Sequence, residues 1–150
     1  MNSIRNSAKA IIIQDERMLL TVNKDDKGLF YICPGGGQEH SENLREAVVR
    51  ECMEEIGEQV EVLDLVHVRE YIGRNYDGGD PGTHQVEFYF ECNLVSSSPT
   101  FENVSVPDHY QIGIDWVDIN RLDEVRFYPK ELGMRIKNKE GSIRYLGDVN

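Results

Sequence analysis

Residues Gly35 to Glu58 read GGGQEHSENLREAVVRECMEEIGE, three glycines running into a segment with helical spacing. Asn43 followed three residues later by Glu46 has the form of a capping box, and Gly57 stands where a left-handed residue closes a helix, so a helix is expected from about Asn43 to Ile56. On a wheel turning about 100° per residue with Leu44 at zero, Ala47 falls at about 300°, Val48 at about 40°, Cys52 at about 80° and Ile56 at about 120°. These positions define the arc that faces a core. Glu51 at about 340° and Glu55 at about 20° lie inside that arc, and Glu54 at about 280° flanks it. Carboxylates turned toward apolar neighbours are costly, and two of them one turn apart repel, unless cations or shifted protonation compensate.

Most glutamate clusters on helices are solvated charged faces. The wheel argues against that here, because Val49 and Met53 carry the apolar arc further round and leave little outward face. Ion pairing, for instance Arg50 with Glu54 at i,i+4 or Arg45 with nearby acids, neutralises one glutamate and not three. A divalent cation accounts for all three, since hard oxygen ligands at i, i+3 and i+4 converge beside a helix and suit Mg²⁺ or Mn²⁺. Gly35, Gly36 and Gly37 read either as a tight turn or as a backbone cradle whose amides approach an anion. Next to a metal site at a loop-to-helix junction the cradle reading gains weight, and metal with amide donors is what a diphosphate needs.

Outward from this stretch, the 150-residue chain carries 16 Lys+Arg against 27 Asp+Glu, a formal charge of −11. Such a field repels polyphosphate chains, which excludes a nucleic-acid polymer as the expected partner. It also repels a small anionic substrate unless bound metal or local cations reverse its sign. Hydrophobic residues at 39%, with 7 Tyr, 5 Phe and 1 Trp, suffice for one core, and residues 1–150 are expected to form a single domain. No apolar run approaches the roughly 18 residues of a membrane span, and Met1 to Ser7 lacks the form of a secretory signal, so no membrane partner and a cytoplasmic location are expected. Cys33, Cys52 and Cys92 have no metal-ligand spacing and read as buried thiols.

Ala8 to Ile13 and Arg17 to Val22 are β-type runs around the turn Gln14-Asp15-Glu16, and together suggest a hairpin. Leu29 to Cys33 is a short apolar run ending at Pro34. Val60 to Ile72 is β-rich. His84 to Leu94 is the clearest strand, with Val86, Phe88, Phe90, Cys92 and Leu94 on one face and Glu87, Tyr89 and Glu91 on the other. Gly73 to Gly82 reads as a mobile loop near a mouth, and Ser96 to Pro107 as a second polar loop. Ile112 to Val117 returns to strand character, while Ile119 to Val125 and Pro129 to Lys137 look helical, Pro129 suiting a first helical position. The interleaving favours an α/β arrangement in layers.

The stretch quoted above resembles the Nudix box, G-x5-E-x7-R-E-U-x-E-E-x-G-U, where U is aliphatic or similar. Gly36 takes the first position, followed by Glu42, Arg50-Glu51, Cys52, Glu54-Glu55 and Gly57. Glu58 departs from the pattern at the last U, where it is expected to loosen packing after the helix. The resemblance implies a Nudix (MutT-like) α/β/α sandwich with a mixed β-sheet. It also implies a pyrophosphohydrolase that splits a nucleoside diphosphate linked to another moiety by attack of a metal-activated water. By that resemblance Glu51 and Glu55 hold Mg²⁺ (or Mn²⁺) most directly, Glu54 assists, and Gly36 stands with them at the metal. Arg50 orients the acids, Glu42 is the outer acid, and Gly35, Gly36 and Gly37 meet the substrate. A binding or regulatory module without turnover is the alternative of a different class.

The general base is open among Glu51, Glu87, Glu91, Glu102 and Asp108. His40, His67, His84 and His109 show no mutual ligand spacing. Tyr71, Tyr76, Phe88 and Tyr89 are aromatics able to stack on a base, and Tyr76, inside the glycine loop, is the candidate substrate contact. ADP-ribose-cleaving relatives often carry a proline near the position of Gly73, and dinucleoside polyphosphate relatives often carry a tyrosine near Tyr76, which leaves the nucleotide itself open. A homodimer built on β-rich edges is the expected assembly.

Overall fold

A computed structural model describes residues 3–105 and 110–150. In chain order the elements are β1 (Arg5–Ile11), β2 (Ile13–Gln14), β3 (Arg17–Asp25), β4 (Gly28–Ile32), β5 (Gly35–Gly37), α1 (Leu44–Ile56), β6 (Val60–Ile72), β7 (His84–Leu94), β8 (Gln111–Asp118), α2 (Lys130–Lys137) and β9 (Arg144–Asp148). Two sheets form. The first has the order β5-β1-β7-β6-β9 and is mixed, with β1 parallel to β7, β6 parallel to β9 and the other pairs antiparallel. In the second, β3 pairs β2 and β4 and also β8.

Helix α1 forms where the spacing places it. Asn43 accepts from the Glu46 amide at 2.8 Å and Glu46 Oε1 accepts from the Asn43 amide at 3.3 Å, a complete capping box of the kind that contributes about 1 kcal/mol. Gly57 closes the helix at φ 69°. Ala47, Val48, Cys52 and Ile56 bury against Ala8, Ala10 and Ile12 of the first sheet and its flank. Met53 instead stands 40% exposed, so the apolar arc stops short of it; at about 180° on the wheel it occupies the outward face. A second core, on the other side of the first sheet, joins Ile11, Met18, Leu20, Tyr89, Phe127 and Leu132. Helix α2 covers this core through Leu132, which completes the α/β/α layering.

Four local expectations are corrected. The first hairpin is only the short pair of β2 with the start of β3, around Asp15 and Glu16 at φ 52° and 62°. Most of the first run is β1, an interior strand between β5 and β7, which is why Ala8, Ala10 and Ile11 bury on both faces. The helix expected over Ile119 to Val125 is a single 3-10 turn, Ile119–Arg121, capped by Asp118 and tied back by Ile119 N to Glu16 O at 2.9 Å. Pro129 is the cap before α2 rather than its first residue. Strand β7 is buried on both faces at its centre, so Glu87 and Tyr89 lie inside at 5% and 2% exposure. Strand β9, which lies beyond the last element expected from sequence, adds the far edge of the first sheet.

Candidate active site

The three glycines are neither a turn nor an open loop. They form β5, the edge strand of the first sheet, in register Ser7↔Gly37, Ala8↔Gly36 and Lys9↔Gly35 with β1. The acidic face of α1 packs on this strand at side-chain contact distance. The Gly35 amide donates to Glu55 Oε2 at 3.0 Å, so this donor is already engaged by the protein. A Cβ placed on Gly36 would lie 2.7 Å from the Glu51 carboxyl carbon and from its Oε2. A side chain at position 36 would have to displace that carboxylate from its place over the strand.

Arg50 binds the cluster together. Its Nε donates to Glu42 Oε2 at 2.7 Å, and Nη2 donates to Glu42 Oε1 at 3.0 Å and to the Gly37 carbonyl at 2.9 Å. Nη1 donates to Glu51 Oε1 at 3.0 Å and to Glu54 Oε2 at 3.3 Å. This two-pronged grip is the geometry for which a guanidinium is suited and an ammonium is not. The Glu42 carboxyl is held below the usual carboxylate range by its hydrogen bonds to Arg50, and Arg50 is pushed up in turn, chiefly by Glu42. Glu55 is nearly enclosed at 3% exposure, while the side chains of Glu51 and Glu54 are 15% and 29% exposed.

Among the described residues no three acidic, histidine or cysteine side chains are gathered as a metal gathers its ligands. The reason is local: Nη1 of Arg50 sits between Glu51 and Glu54, while Glu55 turns toward Gly35. The donor set nonetheless fits a divalent cation of the Mg²⁺ or Mn²⁺ type, being all carboxylate oxygen, on one helix face, against a strand that a single Cβ would block.

The other sequence candidates disperse. Tyr76 stacks on Tyr71, with ring centroids 5.4 Å apart and planes 7° apart, and donates its hydroxyl to Asp148 Oδ1 at 2.9 Å. Burial and Asp148 push its phenol up to about 12. It is therefore a strut of the β6–β9 end, and the Gly73–Gly82 segment it belongs to is tied by a 3-10 turn and by Gly73 N to Thr83 O at 2.9 Å. Glu87 is committed to Arg69 at 2.7 Å and to the Tyr89 hydroxyl at 2.6 Å. Burial raises its carboxyl, but the Arg69 and Lys9 charges outweigh that and hold it low, which favours the ionised form in this buried pair. Glu91 and Glu102 are exposed. Asp108 and His109 lie outside the described residues. His40 contacts Ser41, His84 contacts Glu70, and His67 is buried beside Arg135. All three cysteines are buried free thiols, as expected, and burial pushes Cys33 up to about 12.

Glu58, the departure from the box, does not loosen the structure. It is 9% exposed and its Oε2 accepts from the amides of Thr100 and Phe101 at 3.2 and 3.3 Å, anchoring the following loop. Sequence reading missed Arg5, which lies over Gly37, and it missed Lys9 and Arg69, which are buried with Glu87 and Tyr89. The signal for the latter was present: Lys9 interrupts an otherwise apolar run, and an interior charge requires partners.

The NUDIX domain model matches residues 4–136. The uncharacterized Nudix hydrolase YvcI of Bacillus subtilis (strain 168) is 26% identical, aligned over 86% of this chain and 75% of that protein. The nucleoside triphosphatase NudI of Enterobacter sp. (strain 638) is 27% identical, over 81% of this chain and 93% of its own length. Among solved structures, a NUDIX hydrolase from Nitrosomonas europaea aligns with a TM-score of 0.72 at 20% identity, covering 95% of this chain and 93% of that one. A MutT NUDIX hydrolase from Burkholderia pseudomallei aligns with a TM-score of 0.70 at 23% identity, covering 89% and 97%. Family hydrolases act on small nucleotides, nucleoside diphosphate derivatives, and generally use divalent metals. Among the described residues no helix is long and apolar enough to cross a membrane. With the fold, the box and the matched model in agreement, the chain belongs to the Nudix family and is a hydrolase of phosphorus-containing anhydrides.

Proposed function

We propose that residues 1–150 act as one catalytic domain, a Mg²⁺-dependent pyrophosphohydrolase cleaving a nucleoside diphosphate linked to another moiety, with Mn²⁺ as a substitute ion. The observation that carries this reading is the contact of the acidic helix face with a side-chain-free strand: Glu55 on the Gly35 amide at 3.0 Å and Glu51 over Gly36. Glu51, Glu54 and Glu55 would hold the cation, with the backbone of Gly36 beside them. A divalent ion so held lowers the pKa of a bound water and offsets phosphate charge. Arg50 keeps Glu51 and Glu54 on one side of the helix and fixes Glu42 and the Gly37 carbonyl. Gly36 and Gly37 let a diphosphate approach the backbone, whereas the Gly35 amide serves Glu55.

The name of the Enterobacter relative, a nucleoside triphosphatase, places nucleoside triphosphates in the substrate panel beside nucleoside diphosphate derivatives. The test is turnover of that panel with Mg²⁺, read as orthophosphate after coupled phosphatase, for the native chain and Glu51→Gln. A drop of at least about a hundredfold in kcat is expected when a metal-holding carboxylate is neutralised. Undiminished turnover in Glu51→Gln overturns the assignment. We also propose that the chain forms a homodimer, which light scattering on the purified chain tests directly.

A further inference from the structure

Helix α1 ends in acids. A helix leaves its final four carbonyls without partners and carries partial negative charge at that end. In α1 that end bears Glu54 and Glu55, Glu58 follows directly after the Gly57 cap, and no basic residue stands in the last turn. The donors that hold this turn come in part from far along the chain. The Gly57 amide serves the Met53 carbonyl at 3.1 Å, but the Glu54 carbonyl accepts from the Ser105 amide at 3.1 Å and the Glu55 carbonyl from Gln111 Nε2 at 2.9 Å. The backbone of two proposed metal ligands is thus fixed from outside the helix.

Residues Thr100 to Ser105 lie as a strap across the helix end. A Cβ at Gly57 would stand 2.7 Å from the Asn103 carbonyl carbon and 2.8 Å from the Asn103 and Val104 nitrogens. Phe101 sets its ring edge-on to Trp116, centroids 6.4 Å apart, and packs on the core to which α1 contributes. Its backbone stands at φ 56°, a left-handed conformation that a phenylalanine rarely adopts and that the surroundings must hold. Glu58 holds it. The Glu58 Oε2 accepts from the Thr100 and Phe101 amides at 3.2 and 3.3 Å, and the residue is buried. The strap is therefore latched twice to the end of α1, by Glu58 at its start and by the Glu54 carbonyl at Ser105.

We infer that Glu58 is a positioning residue for the metal-holding carboxylates. It seats the strap, the strap brings the Ser105 amide to the Glu54 carbonyl, and that bond fixes the turn from which Glu54 and Glu55 project. Glu58 acts through the backbone of the strap and of the helix, not by holding the ion itself. An aliphatic residue at this position offers the two amides no acceptor and leaves the strap unlatched. This inference rests on the hydrolase reading above.

The test titrates Mn²⁺ alone into the full chain by calorimetry, beside urea denaturation, for the native sequence, Glu58→Ala, Glu58→Gln, Glu58→Asp, Glu55→Gln and Leu132→Val. Glutamine at position 58 keeps an acceptor oxygen at the same reach without the charge, whereas aspartate keeps the charge and falls one methylene short. Mn²⁺ is expected to bind at least about tenfold more weakly to Glu58→Ala and Glu58→Asp, and within about threefold of native to Glu58→Gln. Exchange of the Ser105 amide hydrogen speeds up in the first two and stays native in the third. Leu132→Val, which opens space in the second core under α2, lowers the urea midpoint and leaves Mn²⁺ affinity unchanged, which separates placement of the carboxylates from stability at large. Where Glu58→Ala does not fold, the aspartate and glutamine variants carry the comparison. Affinity that follows charge, native in Glu58→Asp and weak in Glu58→Gln, overturns the role of Glu58 and leaves the metal site standing. Native affinity in Glu58→Ala, or an equal loss in Leu132→Val, overturns it too. A native chain that binds no Mn²⁺, or a Glu55→Gln chain that binds it undiminished, removes the hydrolase reading, and this inference falls with it.

Discussion

Gly36 passes beneath Glu51 so closely that a methyl group on its α-carbon would sit 2.7 Å from the glutamate's carboxyl carbon. The atoms in the way are the carboxylate that the helix turns toward the strand, so relief requires moving Glu51 or parting β5 from α1. Gly36→Ala is expected to lower unfolding free energy by about 1–3 kcal/mol, as overpacking does. It is also expected to cut metal-dependent turnover by at least about tenfold, because the displaced group is a proposed metal ligand. Urea denaturation and a Mg²⁺ titration of kcat check the two effects separately.

Arg50 stands at the centre of the same cluster. Removing it leaves Glu42, Glu51 and Glu54 facing one another without their shared cation and strips the Gly37 carbonyl of its donor. Arg50→Ala is expected to cost about 2–3 kcal/mol in unfolding free energy. Arg50→Lys recovers only part of this, since one ammonium cannot span both Glu42 oxygens and the carbonyl. A useful signature is salt: the loss in Arg50→Ala shrinks with added Mg²⁺, which can take the place of the missing charge, and does not shrink with equal ionic strength of NaCl.

How legible was this in the sequence? Helix α1 was, because its caps are local: Asn43, Glu46 and Gly57 each act within one turn. The inward set of Glu51 and Glu55 followed from helical periodicity alone. Met53 was misread because an apolar residue opposite the core is compatible with any helix and carries no signal of its own. The fate of Gly35 to Gly37 was hidden for a different reason. Whether glycines turn or pair depends on the neighbour, and β1 is reached across more than twenty residues of intervening chain. The same holds for β1 beside β7 and β6 beside β9, parallel pairings that no short-range pattern announces. Glu58 shows the limit most plainly, since an acid at an apolar position reads as a defect until the Thr100 and Phe101 amides are seen on its oxygen.

Tyr76 offers a clean separation of roles. Its hydroxyl donates to Asp148 and its ring lies on Tyr71, which together join the Gly73–Gly82 segment to the end of β9. Tyr76→Phe keeps the stack and removes the hydrogen bond, and is expected to cost about 1 kcal/mol. KM and kcat stay at native values if the residue is a strut alone. A KM raised severalfold with unchanged stability would instead restore it as a substrate contact.

His67 gives the fold an acid-side sensitivity distinct from the carboxylates. It is 5% exposed on β6, and its Nδ1 is buried without a hydrogen-bond partner. Burial first, and then the nearby Arg135 charge, hold the imidazole below its ordinary value, with Glu140 opposing weakly. In the unfolded chain it protonates near about 6.5. Between that value and the depressed folded one the unfolded chain binds more protons. Stability from this group is therefore full above about pH 6.5, falls as the pH is lowered, and levels off once the folded imidazole also protonates. Subtracting the Tm–pH curve of His67→Gln from that of the native chain cancels His40, His84 and His109. The difference is expected to slope downward from about pH 6.5 toward acid. A flat difference would mean that the ring titrates alike in both states and that burial at this position is relieved in solution.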